Sequence, residues 1–421
     1  MKKFLILIFF LYNCSFDNRS GIWTDEKKII KESDNQKIVF KKRKILNEEI
    51  NTQVKIKLKS KLKNSSNYDE NTNNVSRVNF DNDIVNKSKF KFSKIDNFDY
   101  FEPELVFHKD HFIFFDDKGS IIKFDKNSKI VWKTNIYTKQ EKKQKPLLNF
   151  AISKNILIIA DNITNYYAIN LNDGNVLWSQ NSQNPFNSQI KISENRFFLV
   201  DLNNILKSFS MINGTELWKF KTENNFLKSD KRNSIVIIDK VIYFNNSLGD
   251  ISAVDVSDGS LIWQTPTQTS SIYESSFSLI SSDLVSNRKN LFFSNNRNEF
   301  YSLNLETGFI NWKRNINSSV RPVLINELIF TISNEGYLFV IESETGKILR
   351  TTDIFDLFKS KKRSKIKPIG FIVGVNKIYL TTNHGRLLTI DILSGKTMSV
   401  LKIDNNKISR PFVSNKKLFV V

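Results

Sequence analysis

The sequence predicts an all-β fold, a β-propeller of four-stranded antiparallel blades, and three observations carry that prediction. A short motif recurs at intervals of 38 to 49 residues from about residue 98 onward. Each copy centres on a tight turn between two apolar runs. Several of those runs, such as Leu328–Phe330 and Tyr337–Ile341, are apolar on both faces, which suits a sheet sandwiched between two others. A period of 40–50 residues holding four short strands is the signature of propeller blades.

The clearest copies read AINLNDGNVLW (168–178), SFSMINGTELW (208–218), AVDVSDGSLIW (253–263) and SLNLETGFINW (302–312). An earlier copy, KFDKNSKIVW (123–132), lacks the glycine; two later ones, VIESETGKILR (340–350) and TIDILSGKTMS (389–399), lack the tryptophan. Gly174, Gly214, Gly259 and Gly308, with Gly346 and Gly395, fall where a tight turn needs positive φ. The Asp, Asn, Thr or Ser before each can bond the turn backbone. Four residues on, Trp178, Trp218, Trp263 and Trp312 lie on the next strand, where a large ring can fill the wedge between blades.

Upstream of the repeats the chain changes character. Lys2 and Lys3 precede an apolar run, Phe4–Tyr12, too short to span a bilayer and suited to a signal peptide over residues 1–13. Leu11-Tyr12-Asn13-Cys14 resembles a bacterial lipoprotein box, which implies lipidation at Cys14, the one cysteine of the chain. Ser15 after it points to the outer membrane, with soluble residence in the periplasm as the alternative. With a single cysteine no intramolecular disulfide can form. Residues 14–87 are rich in Lys, Asn, Ser and Asp and read as a polar, largely irregular tether, followed by a propeller over 88–421.

The formal charge of +20, from 63 Lys and Arg against 43 Asp and Glu, is spread along the whole chain, as a biased composition would spread it. Its densest cluster is Lys359–Lys367 (KSKKRSKIK), read as an exposed loop or as a contact for anionic headgroups or an acidic partner. Nucleic acid does not suit an exported protein.

The pattern A-x-D-x-x-x-G-x-x-x-W, clearest in AVDVSDGSLIW, resembles the repeat of the pyrroloquinoline-quinone-type propellers over about residues 98–421. Within that group, the export signal, the lipobox-like Cys14 and the length resemble the BamB lipoproteins of the outer-membrane β-barrel assembly machinery. The resemblance implies eight blades, the last closed by strands from both termini. Arg410–Val413 and Leu418–Val421 match the first two strands of that blade, and Ser88–Ile95 is a candidate outermost strand. The third falls to Val75–Phe80 or, more simply, to chain beyond Val421.

The residues offer little chemistry. Quinoprotein dehydrogenases with this repeat carry adjacent cysteines, which a chain with one Cys cannot supply, so no enzyme activity and no cofactor are expected. His108 and His111, with Asp110, Asp116 and Asp117 nearby, sit in a turn between strands, and His384 in another, so no metal site is expected. The resemblance implies a non-catalytic, lipid-anchored scaffold on the periplasmic face of the outer membrane, a monomer within a complex, binding the barrel-forming subunit. It places partner contact in Lys219–Asn233 and Gln264–Ser282, with Phe226, Leu227 and Lys228 as contact residues; Ser278–Ser282 lacks the expected acidic residues. The alternative is a module binding a small ligand or cell-wall component in the axial funnel, with a quinone-dependent dehydrogenase as the last reading.

Overall fold

Seven successive meanders of four antiparallel strands form the body of the chain, in a computed structural model that describes residues 45–67, 70–84, 88, 103–223, 231–267 and 280–421. Blade 1 runs from Val106–His108 to Ile130–Thr134, and blade 2 from Leu148–Ser153 to Val176–Asn181. Blade 3 spans Lys191–Ser193 to Glu216–Lys221, and blade 4 Ile235–Ile238 to Leu261–Thr265. Blades 5, 6 and 7 begin at Val285–Ser286, Val323–Ile325 and Pro368–Val373, and end at Ile310–Arg314, Ile348–Asp353 and Thr397–Lys402. An eighth sheet pairs Phe412–Ser414 with Lys417–Phe419. Two short helices, α1 (Lys139–Lys143) and α2 (Ser360–Arg363), lie in the links from blade 1 to 2 and from blade 6 to 7.

First strands of successive blades lie side by side and so line the axis. Third strands are buried almost throughout, as in Ile205–Ser210, whereas fourth strands such as Glu216–Lys221 are largely exposed. An even number of strands returns the chain to the same side after each blade, so all links between blades share one face of the disc. The turns between first and second, and third and fourth, strands share the other.

Adjacent blades are joined by the repeat's tryptophan. The indole N–H of Trp132 donates to Leu171 O (3.0 Å), Trp178 to Met211 O (3.0 Å) and Trp218 to Val256 O (3.1 Å). Trp263 and Trp312 do the same to Leu305 O (2.9 Å) and Ser343 O (3.0 Å). Each ring lies flat against the turn glycine of the next blade. At Gly259 (φ +76°) an added Cβ would stand 2.6 Å from Trp218 Cε3, so both the conformation and the space exclude a side chain. In blade 6 Arg350 takes the tryptophan's place, donating to Ile392 O (2.9 Å) and Leu393 O (2.6 Å). Every one of these fourth strands carries a one-residue bulge just before that position, as Leu261 and Trp263 face Val254 and Ala253 with Ile262 unpaired.

Of the stretch read as a polar tether, residues 45–67 and 70–84 are described. They hold no named strand, yet they are packed on the propeller. Ile50 pairs with Thr351 on the outer edge of blade 6, and Ile56 is buried in the apolar core shared by blades 6 and 7. Val75, Val78 and Phe80 are buried against Ile372, Tyr379, Leu387 and Val413 of blades 7 and 8. Val75–Phe80 therefore does not supply the third strand of blade 8: Arg77 bridges Val373 of blade 7 in parallel, and its guanidinium bonds Gly374 O (3.1 Å) and Val375 O. Apolar burial and the carbonyls of that turn hold the segment at the axis instead of beside Lys417–Phe419. Of the candidate outermost strand Ser88–Ile95, all but Ser88 lies outside the described residues.

Candidate functional site

Propeller ligands bind along the axis, and here the axis is filled by the chain itself. Residues 71–78 bond the first strands of five blades in turn. Ile237 N donates to Asn71 O (2.9 Å) and Ser286 N to Thr72 O (3.0 Å). Asn74 Oδ1 accepts from Leu324 N (3.1 Å), and Val78 N donates to Val373 O (2.8 Å). Asn73 reaches furthest. Its amide nitrogen lies 2.9–3.1 Å from Gln189 Oε1, Ser234 Oγ, Ile235 O and Leu284 O, and its Oδ1 accepts from Lys191 Nζ (2.6 Å). Asn73 holds φ +59°, a left-handed geometry that asparagine tolerates better than other side chains. A segment touching blades 3 to 7 at their innermost strands can only lie in the central channel. Its neighbour Ser66 is bonded to Val413 of blade 8, through Ser66 N to Val413 O (2.9 Å).

At the link-face mouth of the channel stands a ring of charge. The position two residues before the first strand is Glu104 in blade 1, Gln189 in blade 3, Asn233 in blade 4, Asp283 in blade 5, Arg321 in blade 6 and Arg410 in blade 8. Glu104 Oε1 accepts from Arg232 (2.7 Å), Arg410 (2.7 Å) and Arg321 (3.3 Å). Asp283 Oδ2 pairs with Arg321 at 2.5 Å, and Lys231 stands 3.9 Å from its other oxygen. Burial pushes both carboxyls up, but the cations more than offset it, Arg232 first at Glu104 and Arg321 first at Asp283, so both lie well below the usual carboxylate range. Lys191, deeper in, is pushed down to about 8 by burial and then by Arg321. Sequence reasoning missed this ring because it is assembled from single polar residues in separate blades. One signal was present, the repeated Arg-Pro of Arg321-Pro322 and Arg410-Pro411 at equivalent positions.

What remains open between Asn73, Glu104, Lys191, Arg321 and Arg410 is a cavity of about 60 Å³. That admits a few waters, against the several hundred Å³ of a typical ligand pocket. A quinone on the axis would overlap Asn73 and its partners, so the residues present do not fit that group. His108 and His111 face each other across the first hairpin of blade 1, with both Nδ1 atoms buried and without a hydrogen-bond partner among the described residues. No cluster of three metal-binding side chains occurs among the described residues. Cys14 and Phe226, Leu227 and Lys228 lie outside the described residues, as do residues 268–279 of the stretch Gln264–Ser282.

Comparison with known proteins gives this architecture relatives. A family profile described as outer membrane protein assembly factor BamB matches residues 117–352. The outer membrane protein assembly factor BamB of Legionella pneumophila is 24% identical over 160 residues, 37% of this chain and 36% of that protein. An uncharacterised protein of Rickettsia conorii is 27% identical over 182 residues, 42% of each chain. The chain thus aligns with well under half the length of these curated relatives. Among solved structures, BamB from Moraxella catarrhalis superposes with a TM-score of 0.63 at 13% identity, over 75% of this chain and 92% of that one. The quinohemoprotein alcohol dehydrogenase of Comamonas testosteroni reaches 0.56 at 10% identity, over 76% and 70%. Such identities speak for the fold alone.

Proposed function

Because this chain belongs to the family of outer membrane protein assembly factor BamB, we propose that it is a non-catalytic scaffold of outer-membrane β-barrel assembly, held to the periplasmic face of that membrane by a lipid on Cys14. The observation that carries this reading is the family match across blades 1 to 6, on a propeller whose axial channel is packed with its own residues 71–78. A filled axis leaves the loops and edges of the disc as the binding surfaces. It also disfavours the alternative of a small ligand or cell-wall component in the funnel.

The work of such a scaffold is non-covalent. A rigid disc presents its link-face loops to the periplasmic part of a barrel-forming subunit, and Phe226, Leu227 and Lys228, in the link from blade 3 to 4, are the contact residues we assign. Two adjacent apolar side chains can fill a pocket on the partner, with the cation at its polar rim. Affinity capture of the tagged chain from detergent extracts tests the reading. The barrel-forming subunit is recovered with the wild-type chain and lost with Phe226→Asp/Leu227→Asp. Failure to recover it with the wild-type chain overturns the scaffold role; recovery undiminished by the double variant overturns the assigned contact.

A further inference from the structure

The basic link between blades 6 and 7 is in part exposed and in part engaged within the fold. From Asp353 to Lys367 it carries six cations against two carboxylates, a net +4. Its one arginine is spent internally: Arg363 Nη1 bonds Asp353 Oδ2 at 2.5 Å and its guanidinium lies 5.3 Å from the Tyr337 ring centroid. Lys359, Lys361, Lys362, Lys365 and Lys367 all remain exposed, on and around α2. Phe355 and Ile366 are buried beneath the loop and anchor it, while Leu357 is 59% exposed among the lysines. Asp356 is the exposed carboxylate beside them.

A second basic link lies on the same face. Residues 139–145, around α1, carry four lysines against Glu141, a net +3, and Glu141 is occupied in the capping box with Thr138. The even strand count puts both links on one side of the disc. Glu49 lies beside the first of them, since Asp353 N donates to Glu49 Oε1 (3.0 Å).

We propose that this basic link on the link face, Lys359–Lys367, rests on an anionic lipid surface. Recognition of a folded acidic protein would favour planar, fixed donors, and the only arginine here is already engaged. What is exposed is flexible, strongly hydrated point charge around one apolar tip, which suits a fluid layer of anionic headgroups. The proposal extends the membrane-tethered reading above, but it requires neither the lipid on Cys14 nor the barrel-forming subunit.

The test is flotation of the full chain carrying Cys14→Ser with vesicles of phosphatidylethanolamine and phosphatidylglycerol, compared with vesicles of phosphatidylcholine alone. The unlipidated chain prefers the anionic vesicles, and added salt abolishes the preference. Lys361→Glu/Lys362→Glu/Lys365→Glu reduces partitioning to anionic vesicles by at least about tenfold, whereas the matching triple Lys→Arg variant keeps it. Both variants retain the parent's melting temperature because the side chains are exposed. No preference for anionic vesicles, or a preference unchanged in the Glu variant, overturns the proposal. So does a charge effect seen only in capture of an acidic protein. Since no partner is present in the vesicle assay, its failure is separable from failure of the capture experiment.

Discussion

Replacing Glu104 by glutamine removes one charge from the axial ring while keeping its shape and one acceptor oxygen. In the wild type that carboxylate receives three guanidinium bonds, at 2.7, 2.7 and 3.3 Å, from residues that precede blades 4, 8 and 6. The arginines keep 8–13% of their side-chain exposure and Glu104 keeps 22%, so screening is partial. Hydrogen bonds to charged groups contribute about 1.5–3 kcal/mol each, and breaking a buried pair costs about 3–5 kcal/mol. Allowing for the residual exposure and the remaining amide acceptor, about 3 kcal/mol is expected. At about 2 °C per kcal/mol for a chain of this size, the melting temperature should fall by roughly 6 °C at pH 7. The sign of the pH dependence follows from the depressed carboxyl. Its stabilisation is complete above the unfolded value of about 4.3 and is lost as pH falls through the folded value. The gap between wild type and Glu104→Gln should therefore narrow from pH 5 downward. Calorimetry at pH 7 and pH 3 decides the matter. A variant that melts within 1 °C of wild type at pH 7, or a gap of equal size at both pH values, would refute an ionic clamp at Glu104.

Three further outcomes are expected. Trp218→Ala loses the bond to Val256 O and the ring beneath Gly259, and should destabilise the protein by about 3 kcal/mol, read from its urea midpoint; Gly259→Ala should act in the same direction. Arg350→Trp restores the repeat's usual residue and should keep blades 6 and 7 docked, but it gives up the 3.2 Å bond to Val54 O. Hydrogen exchange should then accelerate in residues 46–56 and not within blade 7; unchanged exchange there would show that Arg350 does not hold this segment. Lys191 sits at about 8 when folded against about 10.4 unfolded. Between those values the unfolded chain binds more protons, so stability should rise with pH across that window, and Lys191→Met should flatten the rise.

The blades were legible because glycine and tryptophan together mark four of the seven copies, at a turn and at an interface, and one of the two marks each of the others. Seven copies in the sequence became seven four-stranded sheets. Where a copy had drifted, the sequence could not say what stood in: Arg350 reads as a lost tryptophan, yet its guanidinium reaches the same inter-blade carbonyls. The bulge before the tryptophan position is invisible, since any residue can occupy it, from Ile262 before Trp263 to Met398 before Ser399. The contents of the channel were hidden for a different reason. Asn73 and Asn74 look like solvated tether by composition, and only the ring around them turns their side-chain amides into bonding groups within the channel. The charged ring likewise needs six chain segments in place before its members meet.

The loop through the axis also orders events in time. Asn73 must find partners 116 to 211 positions further along the chain, and Asn74 one 250 positions away. Contacts of such separation are slow to form, because long loops must close before they are rewarded. In a chain delivered from its N-terminus, residues 71–78 emerge early and wait while blades 3 to 7 follow. The ring is thereby assembled around a thread that is already present, and its last inward contacts report that the whole disc has arrived.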